Sequence, residues 1–176
     1  MRYCAFLRGV NVKGTTMKMA DVCQVFETEG MQNVSSVLAT GNIIFNSDKN
    51  SKHLKQLLEQ AMSAKFDYEA FLFIKTENEV SEMLKNNPFT KSEDAHIYGF
   101  VTTENTEKLL LEEFKKGHKS ENEKAEIVGN TFYWQIKKGN TLDSDFGKIL
   151  GKKTFKDKIT SRNINTFEKI VKKFAV

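Results

Sequence analysis

An unbroken apolar run, Tyr3-Cys4-Ala5-Phe6-Leu7, stands close to the N-terminus. Such a run, without polar alternation, is the pattern of a strand buried on both faces. We extend it over residues 3–12, ending in Gly and Asn. Met19, Val22, Cys23 and Phe26 then recur at helical spacing, which predicts an amphipathic helix over residues 18–29 stopped by Gly30. Residues 34–38 and 42–46 are β-type segments around Ala39-Thr40-Gly41. Leu54, Leu57, Leu58, Ala61 and Met62 form one helical stripe, and residues 68–75 form a strand. The predicted order over residues 1–76 is β-α-β-β-α-β, the ferredoxin-like arrangement.

The pattern over residues 77–176 predicts a smaller α+β half packed against the first. Val80, Met83 and Leu84 mark a short helix before Asn87-Pro88-Phe89. Residues 96–103 alternate as a strand, and Leu109, Leu110 and Phe114 lie on a helix ending near Gly117. Residues 125–128 and 131–137 flank Gly129-Asn130, a hairpin turn signal. Phe146, Ile149 and Leu150 predict a short helix closed by Gly151. The last helix carries Phe167, Ile170, Val171 and Phe174 on one face, with Asn165 and Glu168 spaced as a capping box. Residues 160–166 are expected as a loop that enters this helix. There is no exact internal repeat, yet the two halves follow broadly similar element orders.

Composition adds limits more than identity. The 176 residues hold 39% hydrophobic and 28% charged side chains with a single proline, which is ordinary for a globular chain. No stretch reaches the roughly 20 apolar residues of a membrane span, and the N-terminal run is too short for a signal-peptide core. A cytoplasmic protein with no membrane partner is expected. Cys4 and Cys23 are expected as buried thiols and lack C-x-x-C spacing, while His53, His96 and His118 lack ligand spacing. Neither a metal nor a cofactor is therefore expected. The net charge of +4 is unevenly spread. Residues 148–176 carry nine basic side chains against Asp157 and Glu168, a balance of +7, which leaves the first 147 residues at −3. A basic C-terminal face favours anionic partners.

Two polar marks carry the candidate chemistry. Arg8-Gly9-Val10-Asn11 ends the first strand, where Arg8 and Asn11 supply donors and Gly9 and Gly14 permit tight backbone paths. The Gly9 to Gly14 spacing is not a P-loop, because Thr15-Thr16 stands where Lys-Ser/Thr belongs. Near the other end, Arg162 and Asn163 precede a helix whose first N–H groups lack partners and carry partial positive charge. A guanidinium and an amide there suit a phosphate or carboxylate. Asn42, in Thr40-Gly41-Asn42, joins the candidate set if strand order brings it near Arg8. No nucleophile elbow and no close acid pair with evident desolvation is present, Asp143 and Asp145 being read as helix-start acids, and the Arg-Gly-Phe type signature of RNA-recognition sheets is missing despite many strand aromatics.

At Leu7 to Gly14, Met19, Thr40 to Phe45, Asn87-Pro88-Phe89 and Thr160 to Thr166 the chain resembles the bacterial family filed as domain of unknown function 1697. Members of that family open with a strand like LLRGINVGG, carry Ser-Gly-Asn-Val-Val-Phe and end with Thr-Thr-Arg-Asn-Trp-Asn-Thr. Lys13, Thr40 and Ile164 depart from that pattern by replacing a glycine, a serine and a tryptophan. The last departure removes an aromatic suited to packing on a ligand. The resemblance implies an α+β fold with a ferredoxin-like half and brings no activity with it.

Three functional readings stand at this point. The leading one is a protein that binds a phosphate-bearing partner, a nucleotide or nucleic acid, through Arg8, Asn11, Asn42, Arg162 and Asn163. The others are a small-molecule enzyme acting on an anionic substrate, which lacks an evident base, and a self-associating interaction module.

Overall fold

The computed structural model describes residues 1–11 and 16–176. Residues 12–15, which include Gly14, lie outside the described residues, but the first strand, expected to run to residue 12, ends at Arg8, where Gly9 at φ 76° turns the chain. The chain divides into two compact units. One is Met1–Glu82 with Glu168–Val176, and the other is Met83–Phe167.

In the first unit the strands are β1 (Arg2–Arg8), β2 (Gln32–Ser36), β3 (Asn42–Asn46) and β4 (Phe71–Thr76), with helices α1 (Met19–Thr28) and α2 (Ser51–Phe66) between them. They form one sheet in the order β2-β3-β1-β4, every pair antiparallel. The N-terminal apolar run is central β1, in which Tyr3 to Leu7 are all buried. Tyr3, Ala5, Leu7, Ile43, Phe45, Leu72 and Ile74 share a core with Val22 and Phe26 of α1 and Leu54, Leu58 and Met62 of α2. Tyr3 stacks on Phe45 at 5.7 Å, and Phe26 meets the same ring edge-on at 5.4 Å. β2 starts and ends two residues before its predicted bounds. Asn33 and Leu38 adopt left-handed φ values of 51° and 61°, and the register shifts between Gln32 and Ser35. A bulged edge strand of this kind is poorly marked by period-2 patterning.

A third helix, α3 (Glu77–Lys85), follows β4. Its entry is a capping box that sequence reading passed over. Glu79 N–H donates to Thr76 Oγ1 at 3.2 Å, and Thr76 N–H returns the bond to Glu79 Oε2 at 2.8 Å.

The second unit repeats the order. Strands β5 (Ala95–Thr102), β6 (Lys124–Val128), β7 (Thr131–Lys137) and β8 (Ile159–Asn163) pair antiparallel as β6-β7-β5-β8. Helix α4 (Thr106–Lys116) follows β5. Helix α5 (Asp145–Leu150) and a 3₁₀ turn (Lys153–Phe155) precede β8, and α6 (Ile164–Phe174) follows it. The core is aromatic. Phe146 of the short α5 meets Trp134, Phe132 and Phe114 at ring distances of 5.1, 5.4 and 5.6 Å. Glu123 is buried but satisfied, accepting from Trp134 Nε1 at 3.0 Å and from Ser120 N–H at 2.9 Å.

The expected loop over residues 160–166 is corrected here. Its first half is strand β8, and Asn165 lies inside α6 rather than capping it. Thr-Ser-Arg-Asn offers no apolar alternation, so only the pairing with β5 shows the strand.

Two outcomes follow from this packing. Gly41 has φ +77°, and a Cβ there would sit 2.9 Å from Leu7 Cβ, whereas Gly30 at φ +85° faces open space. Urea denaturation should show Gly41→Ala losing about 2–4 kcal/mol and Gly30→Ala only about 1 kcal/mol. Glu79 is the second. Burial is the largest single influence on its carboxyl and opposes charge, but Thr76 hydrogen bonds and the Lys75 ammonium together hold it below the ordinary range. A depressed carboxyl stabilises the fold above its unfolded value of about 4.3 and loses that contribution as pH falls through the folded value. The stability margin of wild type over Glu79→Gln should therefore be full at neutral pH and close on acidification below about pH 4.

Candidate anion site at the start of the last helix

The candidate residues fall into two groups, one in each unit. In the first unit, Arg8 ends β1 opposite Phe71, and Asn42 pairs with Phe6, so strand order brings both to one end of the sheet. Asn42 is fully buried, and its Nδ2 donates to Val37 O and Thr40 Oγ1, both at 2.9 Å. Asn11 Nδ2 donates to Ala39 O at 2.7 Å, and Leu7 N–H donates to Gly41 O at 2.8 Å. These amides hold the turn between β2 and β3 in place.

The second group is built by β8 and β5. Pairing places Arg162 opposite Gly99 and Asn163 opposite Tyr98. Arg162 Nη1 donates to Thr160 Oγ1 at 2.7 Å and Ser161 O at 2.9 Å, along its own strand. Asn163, where the strand becomes a helix, does the work expected of Asn165. Its Oδ1 accepts from Asn165 N–H at 3.0 Å and so supplies one of the unpaired helix-start donors with an acceptor. That bond orients the amide, turning Nδ2 toward His96 Nδ1 at 3.1 Å. An amide N–H₂ only donates, so His96 Nδ1 is the acceptor and the ring proton belongs on Nε2. The His96 ring lies 5.8 Å from Tyr98, which stacks on Trp134 at 5.6 Å, tying the site to the aromatic core.

Around this junction is a pocket of about 90 Å³, lined by Lys91, Ser92, Ala95, His96, Ile97, Lys138, Asn163, Ile164 and Asn165. Two lysines, a histidine, two asparagines and the N-terminus of an eleven-residue helix contribute to that lining. None of the described residues lining it is acidic. Lys91, Lys138 and His96 were missed by sequence reading. They come from a polar loop, a strand end and a strand start, and only the sheet order joins them.

Elsewhere the chemistry is quiet. Neither Cys4 nor Cys23 is in a disulfide, Cys4 is buried, and burial followed by the Glu27 charge pushes the Cys23 thiol up, away from the reactive thiolate. Among the described residues no group of three or more His, Cys, Asp or Glu side chains is placed to hold a metal ion. Among those residues, too, no helix is long and apolar enough to cross a membrane.

Comparison with known proteins adds fold and family. The conserved bacterial protein SP0830 from Streptococcus pneumoniae has a solved structure similar to this one, with a TM-score of 0.79 at 21% identity. The match covers 99% of this chain and 98% of that one. No curated protein matches the chain. A family model described as "Protein of unknown function (DUF1697)" matches residues 1–133.

The hydrogen-bond pattern at Asn163 has a direct test. Nitrogen NMR at a pH where the ring is neutral should place the His96 proton on Nε2. Asn163→Ala, which removes the helix cap, should cost about 1 kcal/mol in denaturant unfolding.

Proposed function

The chain belongs to the DUF1697 family, and from that premise we propose that it binds a phosphate-bearing ligand at the pocket where β8 turns into α6. One observation carries the reading: Lys91, Lys138, His96 and Asn163 converge with the start of a helix on a pocket without an acidic lining residue. A helix start offers N–H groups and partial positive charge, and two lysines add full charges at short range. The site is narrower than the five residues singled out from sequence. Asn163 lies on its wall and Arg162 is its neighbour in β8, while in the first unit Arg8 ends β1 and Asn11 and Asn42 bond to the turn between β2 and β3.

We also infer that both units are ferredoxin-like. The support is the shared antiparallel strand order, with the sequential first strand central and the second at an edge. A cytoplasmic setting fits a chain whose two cysteines are not joined in a disulfide.

Titration of inorganic phosphate, followed through the backbone amides of Ile164 and Asn165, tests the binding. Saturable shifts that weaken as salt is raised are expected, since the contacts are ionic. Lys138→Ala should weaken binding about tenfold, the loss of one charge-assisted contact. Unmoved Ile164 and Asn165 amides, or equal binding by wild type and Lys138→Ala, would reject the assignment.

A further inference from the structure

The pocket at the start of α6 is too small for more than the anion itself. At about 90 Å³ it admits a phosphate-sized group and leaves no room for a sugar or base. A second cavity, about 520 Å³, adjoins it and shares Ser92 and Ala95 as wall residues. That volume lies inside the range of small-molecule sites. Its chemistry is different. Asp94 and Glu121 bring carboxylates, and Thr90, Asn122 and Gln135 bring neutral polar groups, with Lys137 the one cation among the described lining residues. Both cavities lie wholly within the second unit.

We infer that the two cavities form one site for a small phosphorylated polyol, with the phosphate in the basic pocket and the hydroxyl-bearing body in the larger one. This rests on the phosphate reading above. Ionised carboxylates only accept hydrogen bonds, so Asp94 and Glu121 suit hydroxyl donors. The same carboxylates repel a second phosphate, which disfavours a nucleic acid strand threading through both cavities. The body of the ligand therefore carries donors and no further anion.

Two hydrogen bonds brace these compartments. Lys138 N–H donates to Asp94 O at 2.8 Å, which fixes the end of β7 that supplies a phosphate-side lysine against the strand start that supplies a polyol-side carboxylate. Within the lining of the larger cavity, Gln135 Nε2 donates to Asn122 O at 3.2 Å, bracing the turn where Asn122 takes a left-handed φ of 60°. A site whose parts are already positioned loses less on binding.

Calorimetry on the full chain with inorganic phosphate, glucose 6-phosphate, adenosine 5′-monophosphate and a short oligothymidylate tests this. Either or both of the two phosphomonoesters should bind at least about tenfold tighter than inorganic phosphate, from two added hydrogen bonds, and the pair separates a sugar body from a nucleoside body. The double variant Asp94→Ala/Glu121→Ala, altered only at exposed positions, should lose that margin and keep its affinity for inorganic phosphate. Phosphomonoesters no tighter than inorganic phosphate, a margin untouched by the double variant, or an oligonucleotide that binds more tightly than the monoesters would each overturn the inference while leaving phosphate binding standing. Failure of inorganic phosphate to bind wild type would overturn the phosphate reading and this inference with it.

Discussion

Everything at the candidate site depends on the register of one antiparallel pair. β8 meets β5 with Tyr98 opposite Asn163 and Thr102 opposite Ile159. Side chains alternate across a sheet, so this register puts Asn163 on the face of Tyr98 and its ring partners and Arg162 on the other. A slip of one residue would exchange them. The Asn163 amide would lose His96. The aromatic core resists such a slip, because Ile159 at the start of the strand belongs to the cluster organised around Phe146. A five-residue strand with little apolar content thus takes its position from its anchored first residue.

The two units share a strand order and put it to different uses. At the end of the first sheet, polar side chains turn inward. Asn42 is wholly buried, and its amide closes the turn that carries Gly41. In the second sheet the comparable polar content sits where a strand gives way to a helix and faces a pocket. The chemistry follows from that difference. An amide whose two hydrogens are spent on backbone and hydroxyl oxygens rigidifies a turn. An amide that caps a helix in a pocket also lined by two lysines helps to shape the place proposed for an anion.

The first unit was legible in the chain because its elements are written in apolar spacing. The β1 run, the α1 and α2 stripes and the glycine stop all survive in the structure within a few residues. The hairpin of β6 and β7 was equally plain, since Gly129-Asn130 supplies turn chemistry between alternating strands. β8 was not, because Thr160 to Asn163 carry no pattern that a strand period can register. The candidate site was legible only at Asn163. Lys91 and Lys138 are surface lysines in sequence terms, and His96 is one of three scattered histidines. Their meeting comes from pairing across the sheet, and one-dimensional spacing does not encode it.

The charge asymmetry of the chain points to the same distinction between long range and short range. Nine basic residues crowd into residues 148–176, yet none of them is among the described residues lining the pocket. Its two lysines come from outside that run. Charges separated by more than about 8–10 Å of salt water contribute little to a bound state, though they raise the rate at which anions arrive. In the proposed site, discrimination among anions would therefore fall to the residues lining the two cavities, Lys91, Lys138, Asn163, Asp94 and Glu121 among them. A basic face gathers phosphates without distinguishing them. On the proposed reading, a phosphate-sized pocket opening beside Asp94 and Glu121 would distinguish them, because each further negative charge on a ligand would meet repulsion there and each hydroxyl would meet an acceptor.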